Sequence, residues 1–290
     1  MTTTSFLGDK PIRRIGFGAM QLAGPGVIGP PRDPDAARAV LRRAIELGVD
    51  HIDTAQYYGP DTVNDLIRET LHPYPDDLKL VTKVGARRDA SGAWLPALAP
   101  DELRSGVEDN LRSLRVERMD LVNLRVLGED HGVGEPTEEQ LATLAELRDE
   151  GKLDLIGVSN VTRAGVELAL EHVELGEVQN AYSVLDRTHD DLVDLCTERG
   201  IAFVPFFPLG SAFTGGPQAL ADDPAVAAVA EKHGASPSQV ALAWLLARSD
   251  RILLIPGTTS VAHLEENLAA GDLDLDAEDL DQLAGLTRKP

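Results

Sequence analysis

Four residues of this chain, Asp53, Tyr58, Lys83 and Arg125, carry side chains from which a proton-transfer site can be built, and each falls near the end of a short β-rich run. A phenol with a pKa of about 10 stays protonated at neutral pH, so Tyr58 can act as a general acid. An ammonium about 4 Å away would stabilise the phenolate by up to roughly 4 kcal/mol at an effective dielectric of about 20. That would draw the phenol's pKa toward neutrality. Arginine is always charged and can only donate hydrogen bonds, so Arg125 would polarise an oxygen without exchanging its proton. Taken singly, an aspartate and a lysine more often form a structural ion pair, and a tyrosine more often caps a loop. Their shared placement is what points to chemistry.

Such residues need elements to hold them. β-rich runs alternate with amphipathic helical stretches at Ile15–Leu22, His51–Ala55, Leu78–Val84, Asp120–Val126, Leu155–Ser159, Val178–Tyr182, Ala202–Leu209 and Ile252–Pro256. Eight runs are what a closed parallel (β/α)8 barrel requires, and its active site lies at the C-terminal strand ends. The intervening helices have readable ends. Leu103, Val107, Leu111 and Leu114 share one face of a stretch following Pro100. Thr137 with Gln140, and Ser236 with Gln239, form capping boxes, the second with Pro237 at the first helical position. Further helices are expected at Pro34–Leu47, Val63–Leu71, Gly165–Val173, Asp190–Arg199 and His263–Leu268. An open doubly wound sheet is the competing architecture. No linker or composition break divides the chain, so residues 1–290 are expected to form one barrel domain.

The 290 residues suit an α/β barrel, which typically takes about 250. With 27 basic against 48 acidic residues, the net charge of −21 repels phosphate backbones and anionic lipid. Nucleic-acid and membrane-surface partners are therefore not expected. The longest apolar run, Val240–Ala247, is far short of the roughly 20 residues that span a bilayer. The segment Met1–Arg14 lacks the apolar core of a secretory signal. One cysteine, Cys196, allows no internal disulfide, so a reducing cytoplasm is the expected location. Cys196 sits beside Leu192 and Leu195 and is expected to be plain packing. The seven histidines show no metal-ligand spacing, and no metal is expected.

The motifs Asp53-Thr-Ala-Gln-Tyr-Tyr58-Gly59 and Val81-Thr-Lys83-Val-Gly85 resemble signatures of the aldo-keto reductases. The similarity continues through Gly16-Phe-Gly18, Gly157-Val-Ser159-Asn160, Pro208-Leu-Gly210 and Ile255-Pro-Gly-Thr-Thr-Ser260 to Glu266-Asn267, in order along almost the whole chain. The resemblance implies a TIM barrel that moves a hydride between a nicotinamide cofactor, NADP(H) by family habit with NAD(H) open, and a small carbonyl substrate. Tyr58 would be the general acid, with Lys83 lowering its pKa and Asp53 holding Lys83 charged and aimed. Ser159, Asn160 and Gln179 would bind the nicotinamide carboxamide, and Phe206 would stack on the ring where a tyrosine is usual. Leu209 and Ser211 would line the pyrophosphate. Gly257, Thr258, Thr259, His263, Glu266 and Asn267 would serve the remaining phosphate end, where a helix start gathers free N–H donors.

Two departures from the family pattern stand out. Gly257 and His263 replace the lysine and arginine that commonly read a 2′-phosphate, which narrows the expected preference for NADPH over NADH. Arg125 occupies the place of the histidine that orients the substrate carbonyl, and His131, in the following loop, is the alternative for that role. A fixed charge at Arg125 favours carbonyl compounds that carry negative charge. The short segment after the last helix predicts an open pocket, and Trp94 could wall it. Gly24-Pro-Gly26-Val-Ile-Gly29 fits a dinucleotide fingerprint in spacing only, because Pro30-Pro31 stands where a helix should open. A glycine-rich loop at the barrel mouth is expected there instead. A glycosidase is not supported, since Arg125 and Pro208 end the fourth and seventh runs without a glutamate. An active reductase is thus expected; the alternative is a barrel that binds the cofactor mainly as a sensor or accessory subunit. Oligomeric state is not legible, and a monomer is compatible with everything above.

Overall fold

A computed structural model describes residues 4–128, 132–210 and 215–286. The chain enters as an antiparallel hairpin, β1 (Thr4–Leu7) and β2 (Lys10–Arg13), turned at Gly8 with φ of 60°. The strands that follow are β3 (Phe17–Gly18), β4 (His51–Asp53), β5 (Lys79–Val84), β6 (Ala86–Arg88), β7 (Trp94–Pro96), β8 (Met119–Arg125), β9 (Leu153–Ser159), β10 (Leu175–Ala181) and β11 (Ala202–Phe206). Seven of them form one parallel sheet in the order β3-β4-β5-β8-β9-β10-β11, while β6 and β7 make a separate antiparallel pair.

The sheet closes on itself through the segment after Arg251. Ile252 pairs with Phe203 of β11 and Leu254 pairs with Ile15 just before β3, both in parallel. Leu253 N–H donates to the Phe203 carbonyl at 3.0 Å, and Gly16 N–H donates to the Leu254 carbonyl at 2.8 Å. The eighth staves of the ring are therefore residues 252–254, and the fold is a (β/α)8 barrel rather than an open sheet. Closure demands close backbone approach. A Cβ on Gly18 would lie 2.4 Å from the Ile255 carbonyl oxygen, and one on Gly257 would lie 2.4 Å from the Gly18 carbonyl oxygen. Glycine at both positions removes that collision.

The helices around the ring start where their caps place them. Thr137 Oγ1 accepts from Gln140 N–H and Ser236 Oγ accepts from Gln239 N–H, each with the glutamine reaching back. Three further helices stand outside the expected set: Gly216–Ala221, Pro224–His233 and Ala277–Ala284. The first run read as Ile15–Leu22 is strand only at Phe17–Gly18, because Ala19–Leu22 turns into a 3-10 helix. The seventh run stops at Phe206, since Phe207 takes a left-handed φ of 56° before Pro208. Gly24–Gly29 contains a 3-10 turn at Pro25–Val27, and the next helix begins only at Pro34 behind its Asp33 cap. It is a mouth loop.

The inside of the ring has two levels. At the lower level Val81, Leu121, Ala202, Val204, Leu253 and Ile255 pack with Leu7 and Ile12, so the entry hairpin plugs the barrel floor. One inward step higher on the same strands stand Lys83, Asn123 and, beside them, Asp53, Glu177 and Gln179, all buried.

Candidate active site

The upper level is a connected polar cluster. Lys83 Nζ donates to Asp53 Oδ1 at 2.5 Å and to the Thr54 carbonyl at 3.1 Å. Gln179 Nε2 donates to the other Asp53 oxygen at 3.0 Å and lies 3.4 Å from Glu177 Oε1. Asn123 Nδ2 donates to the same Glu177 oxygen at 2.6 Å. The cluster exists because β4, β5, β8 and β10 each turn a polar side chain inward at the same height. Gly157 of β9 makes room for it, since a Cβ there would lie 2.2 Å from Asn123 Oδ1.

Tyr58 follows β4 on a tight turn and is 6% exposed, with the Lys83 ammonium 5.2 Å from its ring centroid. The structure thus brings Asp53, Tyr58 and Lys83 together. The expected lowering of the phenol's pKa does not follow. Burial pushes the Tyr58 hydroxyl up from its ordinary value and the Asp53 carboxylate pushes it further, against a smaller pull from Arg125. The physical reason is that the Lys83 charge is already engaged by Asp53 and the Thr54 carbonyl, while the ring has lost its water. Tyr58 is accordingly a protonated donor at neutral pH. Its neighbour Tyr57 is also fully enclosed, packed edge-on against Tyr58 and against Trp94, and its hydroxyl has no partner. Arg88 covers the Trp94 ring at 3.9 Å, and its Nη2 donates to the Gly26 carbonyl at 2.6 Å. The β6–β7 pair and the Gly24–Gly29 loop therefore form a wall beside Tyr58, with Trp94 in it.

Arg125 ends β8 half-buried, next to Tyr58's cluster. Its Nη1 donates to Ser159 Oγ at 3.1 Å, and its guanidinium lies 4.9 Å from the Phe206 ring centroid. His131 and Ser211 lie outside the described residues. Asn160 adopts a left-handed φ of 61°, and its amide nitrogen is committed to the carbonyls of Val126 (2.8 Å) and Gly132 (2.7 Å). Gln179 has both amide hydrogens facing carboxylates, which leaves its Oε1 buried and without a partner. An orphaned acceptor at that depth fits an incoming amide donor, and Ser159, Phe206 and half-buried Leu209 stand near the same strand ends.

The segment after the closing stave carries the other expected contacts. Thr258 is buried and its Oγ1 accepts from Ser260 N–H at 3.0 Å, while Ser260 caps the helix Val261–Ala269. Gly257, Thr259 and His263 are exposed at that helix start, and Asn267 is buried one and a half turns in. Glu266 is less available than expected, because its carboxylate is held by the Ser236 hydroxyl and its carbonyl by Gln239. Cys196 is fully buried and burial pushes its thiol up to about 12, as packing alone would. Among the described residues, no cluster of three or more His, Cys, Asp or Glu could hold a metal ion, and no helix is long and apolar enough to cross a membrane.

Glu177 was not anticipated as part of this site. It is 2% exposed, and burial raises its carboxyl to about 7, with the Asp53 charge adding to the effect. Asn123, Lys83 and Gln179 pull the other way without overcoming it. The available signal was the alternation in Leu175-Gly176-Glu177-Val178-Gln179, which puts Glu177 on the same face as Gln179.

This geometry agrees with kinship. The sequence profile of the aldo/keto reductase family matches residues 14–288, and the chain belongs to that family. It is 51% identical to the pyridoxine 4-dehydrogenase of Escherichia coli over 292 aligned positions, covering 100% of both chains. An uncharacterised oxidoreductase of Schizosaccharomyces pombe is 37% identical, with 94% of this chain and 86% of the relative covered. In three dimensions the barrel superposes on a thermostable aldo-keto reductase solved with the inhibitor epalrestat, with a TM-score of 0.80, 29% identity and 96% of each chain covered. A Klebsiella pneumoniae aldo-keto reductase solved with NADPH has the same fold at a TM-score of 0.77 and 24% identity, over 98% of this chain and 94% of that one. The protein is an enzyme, an oxidoreductase of the aldo-keto reductase class, whose members work with nicotinamide cofactors.

Proposed function

We propose that the enzyme interconverts a carbonyl compound and its alcohol using NADP(H), with Tyr58 as the proton carrier. The carrying observation is the buried Lys83–Asp53 pair beside the Tyr58 ring. Ser159, Asn160 and Gln179 would hold the nicotinamide carboxamide, Phe206 its ring, and Leu209 and Ser211 the pyrophosphate. Gly257, Thr258, Thr259 and His263 would receive the far phosphate, with Asn267 and Glu266 behind them. When bound, the reduced cofactor supplies the hydride that adds to the carbonyl carbon. Tyr58 delivers a proton to the carbonyl oxygen as negative charge develops there, and the Lys83 ammonium offsets the charge left on the phenolate. Asp53 keeps Lys83 charged and pointed, and Arg125 donates to the substrate oxygen.

The Arg125 fork suits a carbonyl with a second negative oxygen nearby. An aromatic aldehyde with an ionised hydroxyl on the adjacent ring carbon presents that pair, and the activity named for the E. coli relative directs the first test to pyridoxal. Consumption of NADPH and of NADH should be followed with pyridoxal, with a neutral aromatic aldehyde and with a keto acid. Turnover of pyridoxal with NADPH, faster than with the neutral aldehyde and with NADH, supports the reading. Binding of NADPH without turnover of any carbonyl would favour a cofactor-sensing barrel instead.

A further inference from the structure

A buried carboxyl joined to the Asp53 network through Gln179 takes no part in the steps above. Glu177 shares one amide, that of Gln179, with Asp53: the nitrogen lies 3.0 Å from Asp53 Oδ2 and 3.4 Å from Glu177 Oε1. We propose that Glu177 is a proton-exchanging positioning residue that acts through Gln179 and Asp53 to set the charge beneath Lys83 and Tyr58. The inference rests on Tyr58 being the proton carrier.

The first support is a shortage of donors. Around Glu177 the acceptors are its own two oxygens, the two of Asp53, and the carbonyl oxygens of Asn123 and Gln179. The donors are the amides of Asn123 and Gln179 and the Lys83 ammonium. Asn123 Oδ1 and Gln179 Oε1 are both buried without a partner. A proton on Glu177 reduces that deficit, and its loss leaves a second buried carboxylate beside Asp53.

The second support is the charge facing Glu177 from each strand packed around it. β4 presents Asp53 and, two residues below, the buried His51, whose ring lies against Gly16. β5 presents Lys83. β8 presents the neutral Asn123, with Arg125 one inward step above it. The neighbours of β10 add no charge, since Gly157 of β9 and Ala202 of β11 stand opposite. One cation and one carboxylate thus already neutralise each other at this level, so a further negative charge is unpaired there. Burial raises the Glu177 carboxyl to about 7, and the Asp53 charge adds to that rise.

The consequence has a sign. With Glu177 neutral, Lys83 is balanced by Asp53 alone. With Glu177 ionised, added negative charge makes the Tyr58 phenolate harder to form. Carbonyl reduction should therefore slow as pH rises through the Glu177 midpoint, by roughly three- to tenfold for one charge at partial screening. Gln179, held against the Asp53 carboxylate, cannot turn its oxygen toward it, so Asp53 fixes which end of that amide is left free.

The test uses the ligand-free protein and the Glu177→Gln variant. Infrared difference spectra between about pH 5 and about pH 9 should show a protonated-carboxyl band that vanishes near neutrality in the wild type. That band should be missing in Glu177→Gln. In parallel, the pH profile of carbonyl reduction should lose its neutral step in the variant. A merely structural role would shift stability and leave the neutral step in the pH profile of reduction in place. The proposal is overturned if no carboxyl band depends on Glu177, or if Glu177→Gln keeps the wild-type step. The infrared titration requires no turnover. A wild type that shows the band but reduces no carbonyl would therefore overturn the role of Tyr58 and leave the proton exchange at Glu177 standing.

Discussion

The two levels inside the barrel are built from the same strands and differ by one inward step. Val81 and Leu121 belong to the floor, and two residues later Lys83 and Asn123 belong to the polar cluster. The floor is sealed by Leu7 and Ile12 of the entry hairpin and obeys the ordinary logic of packing. The upper level puts Asp53, Lys83 and Glu177 into the same dry space, where each ion is costly unless paired. The lesson is a division of labour at a spacing of two residues. The floor supplies stability, and the level above uses the rigidity of that floor to hold charges where water would otherwise screen them.

Mutations at the two levels should therefore separate stability from chemistry. Leu121 is fully buried in the floor, and Leu121→Ala should cost about 2–5 kcal/mol of unfolding free energy while the folded fraction keeps its turnover number. Urea denaturation alongside active-site titration checks this. A loss of turnover per folded molecule as large as the loss of stability would erase the distinction between the levels.

The upper level should show its cost as a pH dependence. The Glu177 carboxyl stands at about 7 in the folded protein against 4.5 for the free side chain, so the folded state holds the proton more tightly. That contribution is fully present below the unfolded value and is lost as pH rises through the folded one. The total is of order 3 kcal/mol, for a shift of this size in a fully buried group. Denaturation midpoints measured from acid to neutral pH should fall more steeply in the wild type than in Glu177→Gln. Parallel slopes would place the charge cost elsewhere.

The smallest effect is expected at the rim, where Arg125 is half-buried between Ser159 and Phe206. Arg125→Ala should reduce kcat/KM for an anionic carbonyl by roughly tenfold or somewhat more, the worth of one charged hydrogen bond, and for a neutral aldehyde by less. Arg125→His should restore the neutral substrate better than the anionic one. Equal losses on both would remove substrate charge from the account of Arg125.

How much of this was readable in advance follows from which contacts are local. Asp53, Tyr58 and Gly59 lie on one turn, and Lys83 ends the next strand, so their meeting was legible from motif and strand order. The caps at Thr137 and Ser236 depend on four consecutive residues and were legible for the same reason. Glu177 was not, because its significance depends on β8 and β10 standing two places apart across Gly157. The closing stave was legible as an apolar run, whereas the plugging of the floor by Leu7 and Ile12 rests on a hairpin whose Gly8-Asp9 turn was the only local cue. A nearby ammonium and the family resemblance pointed to a lowered Tyr58 pKa, whereas burial raises it. Two effects of packing set it: enclosure behind Tyr57 and Trp94, and the capture of the Lys83 charge by Asp53.

The central claim is that the polar level does chemistry through the Tyr58 hydroxyl, and Tyr58→Phe removes that hydroxyl while leaving the ring in its slot. Wild type and variant should be loaded with NADPH, mixed with pyridoxal, and followed through a single turnover, with NADPH affinity measured separately by tryptophan fluorescence. The expected result is a hydride-transfer rate lower by about 10²–10⁴-fold, the usual worth of a positioned general acid, with cofactor affinity unchanged. A variant within about threefold of the wild-type rate would contradict the account and take Tyr58 out of the mechanism.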